Sequence, residues 1–136
     1  MPALRRRVFI RLAAIVTLAA GLAGCQSSSA PPAPTHDTGA LTTMERIALG
    51  ANRCWFKSRD PAFAAYRLAP ELNSFSGRPR ILIVPRNTPE SRPLAVVQAE
   101  GQPARLQAFG PLFTESQGAR MSADIRRWAG GSSSCG

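Results

Sequence analysis

The sequence predicts an α+β domain, in which an N-terminal and a C-terminal helix flank a small antiparallel meander of three to four strands. Three observations support this fold: apolar residues at helical spacing after residue 41, an apolar run at 80–86, and a second helical pattern that ends at two glycines. Helices and strands in this order are typical of α+β domains. We expect a tether over residues 25–40 and the globular domain over residues 41–136.

The first helix is predicted over residues 43–55. Thr42 and Glu45 have the spacing of a capping box, and apolar residues follow at helical intervals: Met44, Ile47, Ala48, Ala51 and Trp55. Gly50 is expected to be the weak point of this helix. The pair Asp60 and Pro61 then predicts the start of one or two further helical turns.

The strands follow from alternation and from proline. Residues 66–72 alternate, but Pro70 restricts this segment to the edge of a sheet. Residues 80–86 are apolar on both faces, which predicts the central strand. Residues 94–100 and 105–109 form two more strands around a short hairpin loop at 101–103.

The last helix is predicted over residues 115–129, with Met121, Ile125 and Trp128 on one face and Gly130 and Gly131 at its end. A central strand that is apolar on both sides needs cover on both faces. Either the two helices divide between the faces, or one face is left for a partner.

The first 25 residues carry the most specific pattern in the chain. Four arginines precede an apolar segment at 12–21, which is followed by Leu22, Ala23, Gly24 and Cys25. This arrangement resembles the signal peptide and lipobox of bacterial lipoproteins. The resemblance implies cleavage after residue 24 and acylation of Cys25 with diacylglycerol and a further chain such as palmitate, which together make a stable membrane anchor.

Two further resemblances concern export. Arg6 and Arg7, followed by an apolar segment, resemble the twin-arginine signal that exports folded proteins, so general and twin-arginine export both remain open. Gln26 stands where an aspartate retains enteric lipoproteins in the inner membrane, which implies the outer membrane, with the domain facing the periplasm. The stretch from Cys54 to Phe109 resembles small Gram-negative lipoproteins of unassigned activity.

Cleavage would remove 24 of the 136 residues and leave 112, which is enough for one small domain. Four of the 17 basic residues would leave with the signal, so 13 basic and 8 acidic residues remain, a net charge of +5. An exported protein meets lipopolysaccharide, anionic lipid and peptidoglycan, and we expect no nucleic-acid partner. In an oxidising compartment, Cys54 and Cys135 are candidates for a disulfide. The alternative is a buried free thiol at Cys54 and a terminal thiol at Cys135 that pairs between molecules.

The sequence offers little catalytic chemistry, and we expect neither an enzyme nor a cofactor. The only histidine, His36, lies in the tether, which leaves no histidine for a metal or catalytic site in the domain. The acidic residues are scattered, and we expect them to be solvated or to cap helices. A small carboxylate-dependent hydrolase or an enzyme inhibitor is the last alternative.

A possible basic patch remains, formed by Arg78, Arg80, Arg86, Arg92 and Arg105 around the central strand. The competing interpretation is that these arginines protect strand edges from aggregation. The sequence therefore predicts a lipid-anchored, non-enzymatic interaction or assembly module that binds an envelope protein, with binding of anionic peptidoglycan or lipopolysaccharide groups as the alternative.

Overall fold

A computed structural model describes residues 38–136. Their order is helix α1 (Ala40–Ala51), which continues into a π-helix (Asn52–Lys57), a 3₁₀ turn (Pro61–Phe63), strands β1 (Tyr66–Glu71), β2 (Arg80–Pro85), β3 (Ala95–Glu100) and β4 (Arg105–Phe109), a second 3₁₀ turn (Pro111–Phe113) and helix α2 (Gly118–Ala129). This is the predicted α+β fold. The signal segment, Cys25 and His36 lie outside the described residues.

Helix α1 begins earlier than the capping-box pattern predicted. Gly39 is its N-cap residue, so Thr42 lies inside the first turn and the predicted box at Thr42 is wrong. The backbone N–H of Ala40 donates to the Gly101 carbonyl, and that of Ala104 donates to the Thr38 carbonyl, at 3.0 and 2.7 Å. Residues 38–40, which were predicted to belong to the tether, are thus part of the fold and lie beside the β3–β4 loop, at the end of the sheet that we call the tether end.

Gly50 was predicted to weaken the first helix, and the structure shows that helix packing also requires glycine at this position. A Cβ atom at this position would lie 2.6 Å from Cε2 and 2.7 Å from Cγ of Trp128. The indole of Trp128, which is 1% exposed, lies against the backbone of α1 at this point. Glycine therefore sets how closely α1 and α2 approach.

The sheet is a four-stranded antiparallel meander in the order β1-β2-β3-β4. Strand β1 lies at one edge, as Pro70 predicted, and Pro70 pairs in register with Ile81 of β2. Strand β2 is central and continues the ladder to β3. The β3–β4 hairpin closes with Glu100 opposite Arg105.

Both helices join one core on one side of the sheet. Inward side chains of β2 and β3 contact those of the two helices, and the core members shared by these four elements include Met44, Ile47, Ile81, Ile83, Val97, Met121, Ile125 and Trp128. Side chains alternate along a strand, so Leu82 and Val96 point to the other face, where both are half-buried. No described helix packs on that face. Of the two predicted arrangements, the helices therefore do not divide between the faces, and both lie on the same one.

Helix α2 begins at Gly118, three residues later than predicted, because residues 111–117 form a 3₁₀ turn and a further turn before it. Its apolar face is the predicted one. Gly130 is the C-cap residue, and Gly131 has a φ of 94°, the left-handed conformation in which glycine commonly ends a helix.

Candidate functional site

The five arginines of the predicted basic patch divide between the two ends of the sheet. Arg78 and Arg80 precede or begin β2, and Arg105 begins β4 at the same end. Arg86 follows β2 at the opposite end, where the β2–β3 loop carries Arg92. The structure therefore brings three of them together and places two elsewhere.

The three arginines at the tether end are paired with glutamates. Glu100 accepts from Arg78 at 2.9 Å and from Arg105 at 3.1 Å, and the pKa of its carboxyl is lowered mainly by the Arg105 hydrogen bond and then by the charge of Arg78. Nε of Arg80 donates to Glu71 at 2.6 Å. Since two carboxylates offset three guanidinium groups, little positive charge is left here to attract an anion.

An apolar groove lies between α1 and the edge strand β1. Its volume is about 590 Å³, and its lining residues are Glu45, Ala48, Leu49, Asn52, Leu68, Pro70 and Leu72. The side chain of Leu49 is 66% exposed. This groove offers contact area to a partner, but it carries no charged group other than Glu45.

A smaller pocket of about 240 Å³ lies at the other end of the sheet, and we call it the Arg59–Arg86 pocket. Its lining residues are Trp55, Phe56, Arg59, Asp60, Phe63, Ala64 and Arg86. The π-helix 52–57 supplies the first two of these residues, the 3₁₀ turn supplies Phe63, and Arg86 directly follows β2. The continuous stretch 55–64 and the residue after β2 thus meet at one cavity.

Aromatic rings form the floor of this pocket. Trp55 stacks on Phe63 with ring centroids 4.7 Å apart and planes inclined by 6°, and Phe56 meets Phe63 edge-on at 5.7 Å. Trp55 and Phe63 are buried, whereas Phe56 is half-buried. The floor therefore consists of two buried rings and of Phe56, its accessible part.

The backbone around the pocket is unusual at two places. π-Helices are rare and are frequent at functional sites, and this one is six residues long. Arg59, two residues after it, has a φ of 60°, a left-handed conformation that costs a residue with a side chain about 1–2 kcal/mol. Glycine commonly occupies the left-handed position after a helix, so arginine is energetically less favourable than glycine at this position.

Some charged side chains of the pocket have an oppositely charged partner and others do not. The Asp60 carboxylate caps the 3₁₀ turn by accepting from the Ala62 N–H at 2.9 Å and also binds Arg120, whose hydrogen bond is the main cause of its lowered pKa. Nε of Arg86 donates to the Ala64 carbonyl at 2.8 Å. Within residues 38–136, the Arg59 side chain has no hydrogen bond or ion pair and Arg86 has no acidic partner. Two guanidinium groups therefore stand at the pocket without a counter-charge.

A buried carboxylate lies behind the aromatic floor. Asp124 is 1% exposed, accepts from Trp55 Nε1 at 2.8 Å, binds Arg127, and lies 3.7 Å from Nε of Arg120. The expectation that the acidic residues are solvated or cap helices is confirmed for Asp60 and is wrong for Asp124. Sequence reasoning missed it, although helical spacing carried a signal: Asp124 lies three residues after Met121 and four before Trp128, on the apolar face of α2.

The predicted disulfide between Cys54 and Cys135 is present, and the two Cα atoms are 5.4 Å apart although the residues are 81 positions apart in sequence. Side-chain hydrogen bonds also attach the C-terminal residues that this disulfide joins to the π-helix. Trp128 Nε1 and Arg127 Nε donate to the Ser134 carbonyl at 3.0 and 3.2 Å, and Arg53 donates to the Ser133 carbonyl. The π-helix is thereby linked to the far end of the described chain.

Comparison of the chain with models of protein families, with curated proteins and with solved structures finds no match. In the described part of the chain, no three histidine, cysteine or acidic side chains come together as a metal site would require. Among residues 38–136 there is also no helix with the length and apolarity needed to cross a bilayer. The functional argument therefore depends on this chain's own residues.

Proposed function

We propose that this protein is a lipid-anchored binding module of the bacterial cell envelope, tethered through acylated Cys25 to the outer membrane and facing the periplasm. It acts by holding an envelope component rather than by catalysis. The observation that carries the proposal is the disulfide between Cys54 and Cys135. Disulfides are rare in the cytosol and frequent in small exported domains, so this bond agrees with the export signal that the lipobox implies.

The geometry supports a binding role for the surface of the domain better than it supports catalysis in a cleft. Asp60 and Asp124 are both engaged by Arg120, and Asp124 is buried, so these carboxylates are not free to act on a substrate. The groove along Leu49 and Leu68 and the Arg59–Arg86 pocket are two concave features of the described residues that differ in chemistry. We propose an envelope protein as the partner of the apolar groove.

A second candidate function is the binding of an anionic peptidoglycan or lipopolysaccharide group. The observation that favours it is the absence of acidic partners for Arg59 and Arg86 within the described residues. Arginine suits such groups because its planar fork donates two parallel hydrogen bonds to a carboxylate or phosphate.

Two experiments test these functions separately. Cells that express the chain are grown with labelled palmitate, and the label should enter the native protein and be lost in Cys25→Ser; label in neither form would overturn the anchor. Binding to isolated peptidoglycan or lipopolysaccharide is then measured by co-sedimentation. Salt-sensitive binding that Arg86→Glu abolishes and Arg92→Glu retains supports the second candidate, and equal binding by both variants contradicts it.

A further inference from the structure

We propose that the Arg59–Arg86 pocket binds the terminal carboxylate of a short peptide with small apolar side chains, of the kind that peptidoglycan stem peptides present. This inference rests on the proposed location in the envelope for the source of the ligand. The recognition chemistry itself rests only on the pocket.

The first argument is the geometry of the two guanidinium groups. Nε of Arg86 donates to the Ala64 carbonyl, which holds this exposed guanidinium beside the cavity and leaves its two terminal nitrogens available as donors. Arg59 contributes a second cation at the same cavity. Charge-assisted, bidentate hydrogen bonds from arginine to a carboxylate are stronger than hydrogen bonds between neutral groups.

The second argument is that other pocket charges do not compete with the ligand. Asp60 is the only acidic residue in the lining, and Arg120 binds its carboxylate. The guanidinium of Arg120 also lies 5.8 Å from the centre of the Phe63 ring. A ligand anion thus meets two arginines and an aspartate whose charge is already offset.

The third argument concerns the body of the ligand. About 240 Å³ is below the range of roughly 300–1,000 Å³ of pockets that enclose whole small molecules. The pocket therefore suits one end of a longer molecule. Phe56 and Ala64 offer apolar contact beside the arginines, which matches a methyl-sized side chain next to a carboxylate better than it matches a bare phosphate.

The fourth argument is the conformation of the chain. The left-handed backbone of Arg59 and the π-helix that carries Trp55 and Phe56 both border this cavity. Unfavourable backbone conformations cluster where a side chain must be aimed at a ligand. Their convergence distinguishes this pocket from the paired arginines at the tether end.

The test uses the full-length chain in detergent micelles and three probes: N-acetyl-D-alanyl-D-alanine, its C-terminal amide, and inorganic phosphate. Binding is followed by NMR at the Nε–H groups of Arg86 and Trp55. We expect saturable shifts with the free dipeptide and affinity at least tenfold lower for the amide. No shift with the dipeptide, or equal affinity for dipeptide and amide, would overturn the proposal, and tighter binding of phosphate would assign the pocket to a phosphate group instead.

Two variants and one control complete the test. Arg86→Gln should weaken the dipeptide at least tenfold, and Arg59→Gly should also weaken it because glycine keeps the left-handed backbone while removing the cation. Arg92→Gln, an exposed arginine outside the pocket lining, should bind as the native protein does. Dipeptide binding that survives both pocket variants overturns the proposal without affecting the palmitate result, so failure of this site and failure of the anchor are distinguishable.

Discussion

Reduction of the disulfide between Cys54 and Cys135 should remove a large part of the stability of the domain. The bond closes a loop between residues 81 positions apart. In the chain-entropy model, such a loop corresponds to about 4.5 kcal/mol at 25 °C, which is comparable to the whole stability of a small domain, about 5–15 kcal/mol. The hydrogen bonds to Ser133 and Ser134 remain possible after reduction, but they do not restrict the unfolded chain.

The assay is urea unfolding followed by tryptophan fluorescence, since Trp55 and Trp128 are both buried. With an m-value of roughly 1.5 kcal/mol/M, a loss of about 4.5 kcal/mol lowers the midpoint by about 3 M. Reductant should have no further effect on Cys54→Ala/Cys135→Ala. A midpoint that moves by less than about 0.5 M on reduction would refute the reasoning, and disulfide-linked dimers on a non-reducing gel would show pairing between molecules.

Three further changes test the packing and the charges. Gly50→Ala should destabilise the domain by about 1–3 kcal/mol through overlap with Trp128, although alanine alone would favour the helix by about 1 kcal/mol; an unchanged urea midpoint would contradict this close approach. Asp124→Asn should cost about 1–3 kcal/mol because it removes the carboxylate to which Arg127 and the buried Trp55 N–H donate, while Glu115→Gln, on an exposed residue, should cost nearly nothing. The pKa of Asp60 is lowered in the folded state, so the stability that this ionised carboxylate gives the fold is complete above the unfolded pKa of about 3.9 and is lost as pH falls through the folded pKa. Asp60→Asn should therefore lose less stability between about pH 5 and pH 3 than the native chain does. Equal losses in the two proteins would contradict the ion pair between Asp60 and Arg120.

The elements of the fold were predictable because their signals are local. Alternation identified β1, a continuous apolar run identified β2, and glycines marked the end of α2. The capping box failed at Thr42 because the backbone of Ala40 and Thr38 bonds to the β3–β4 loop, and this tertiary contact starts the helix one turn earlier.

The candidate site was less predictable because it forms from contacts across the chain. Arg86 was a candidate, but its partner Arg59 was not, since a left-handed arginine and a π-helix leave no periodic signal. The pairing of Arg78, Arg80 and Arg105 with glutamates depends on strand register. Glu71 opposite Arg80 and Glu100 opposite Arg105 could have been inferred only after the register was known.

The most direct test of the account is the intact mass of the protein extracted from the membranes of its native host. The account predicts a chain that begins at Cys25, carries two or three acyl chains, and is lighter by two hydrogens from the Cys54–Cys135 bond. An intact N-terminal segment, or an unmodified Cys25, would contradict the anchor and with it the proposed place of the domain in the envelope.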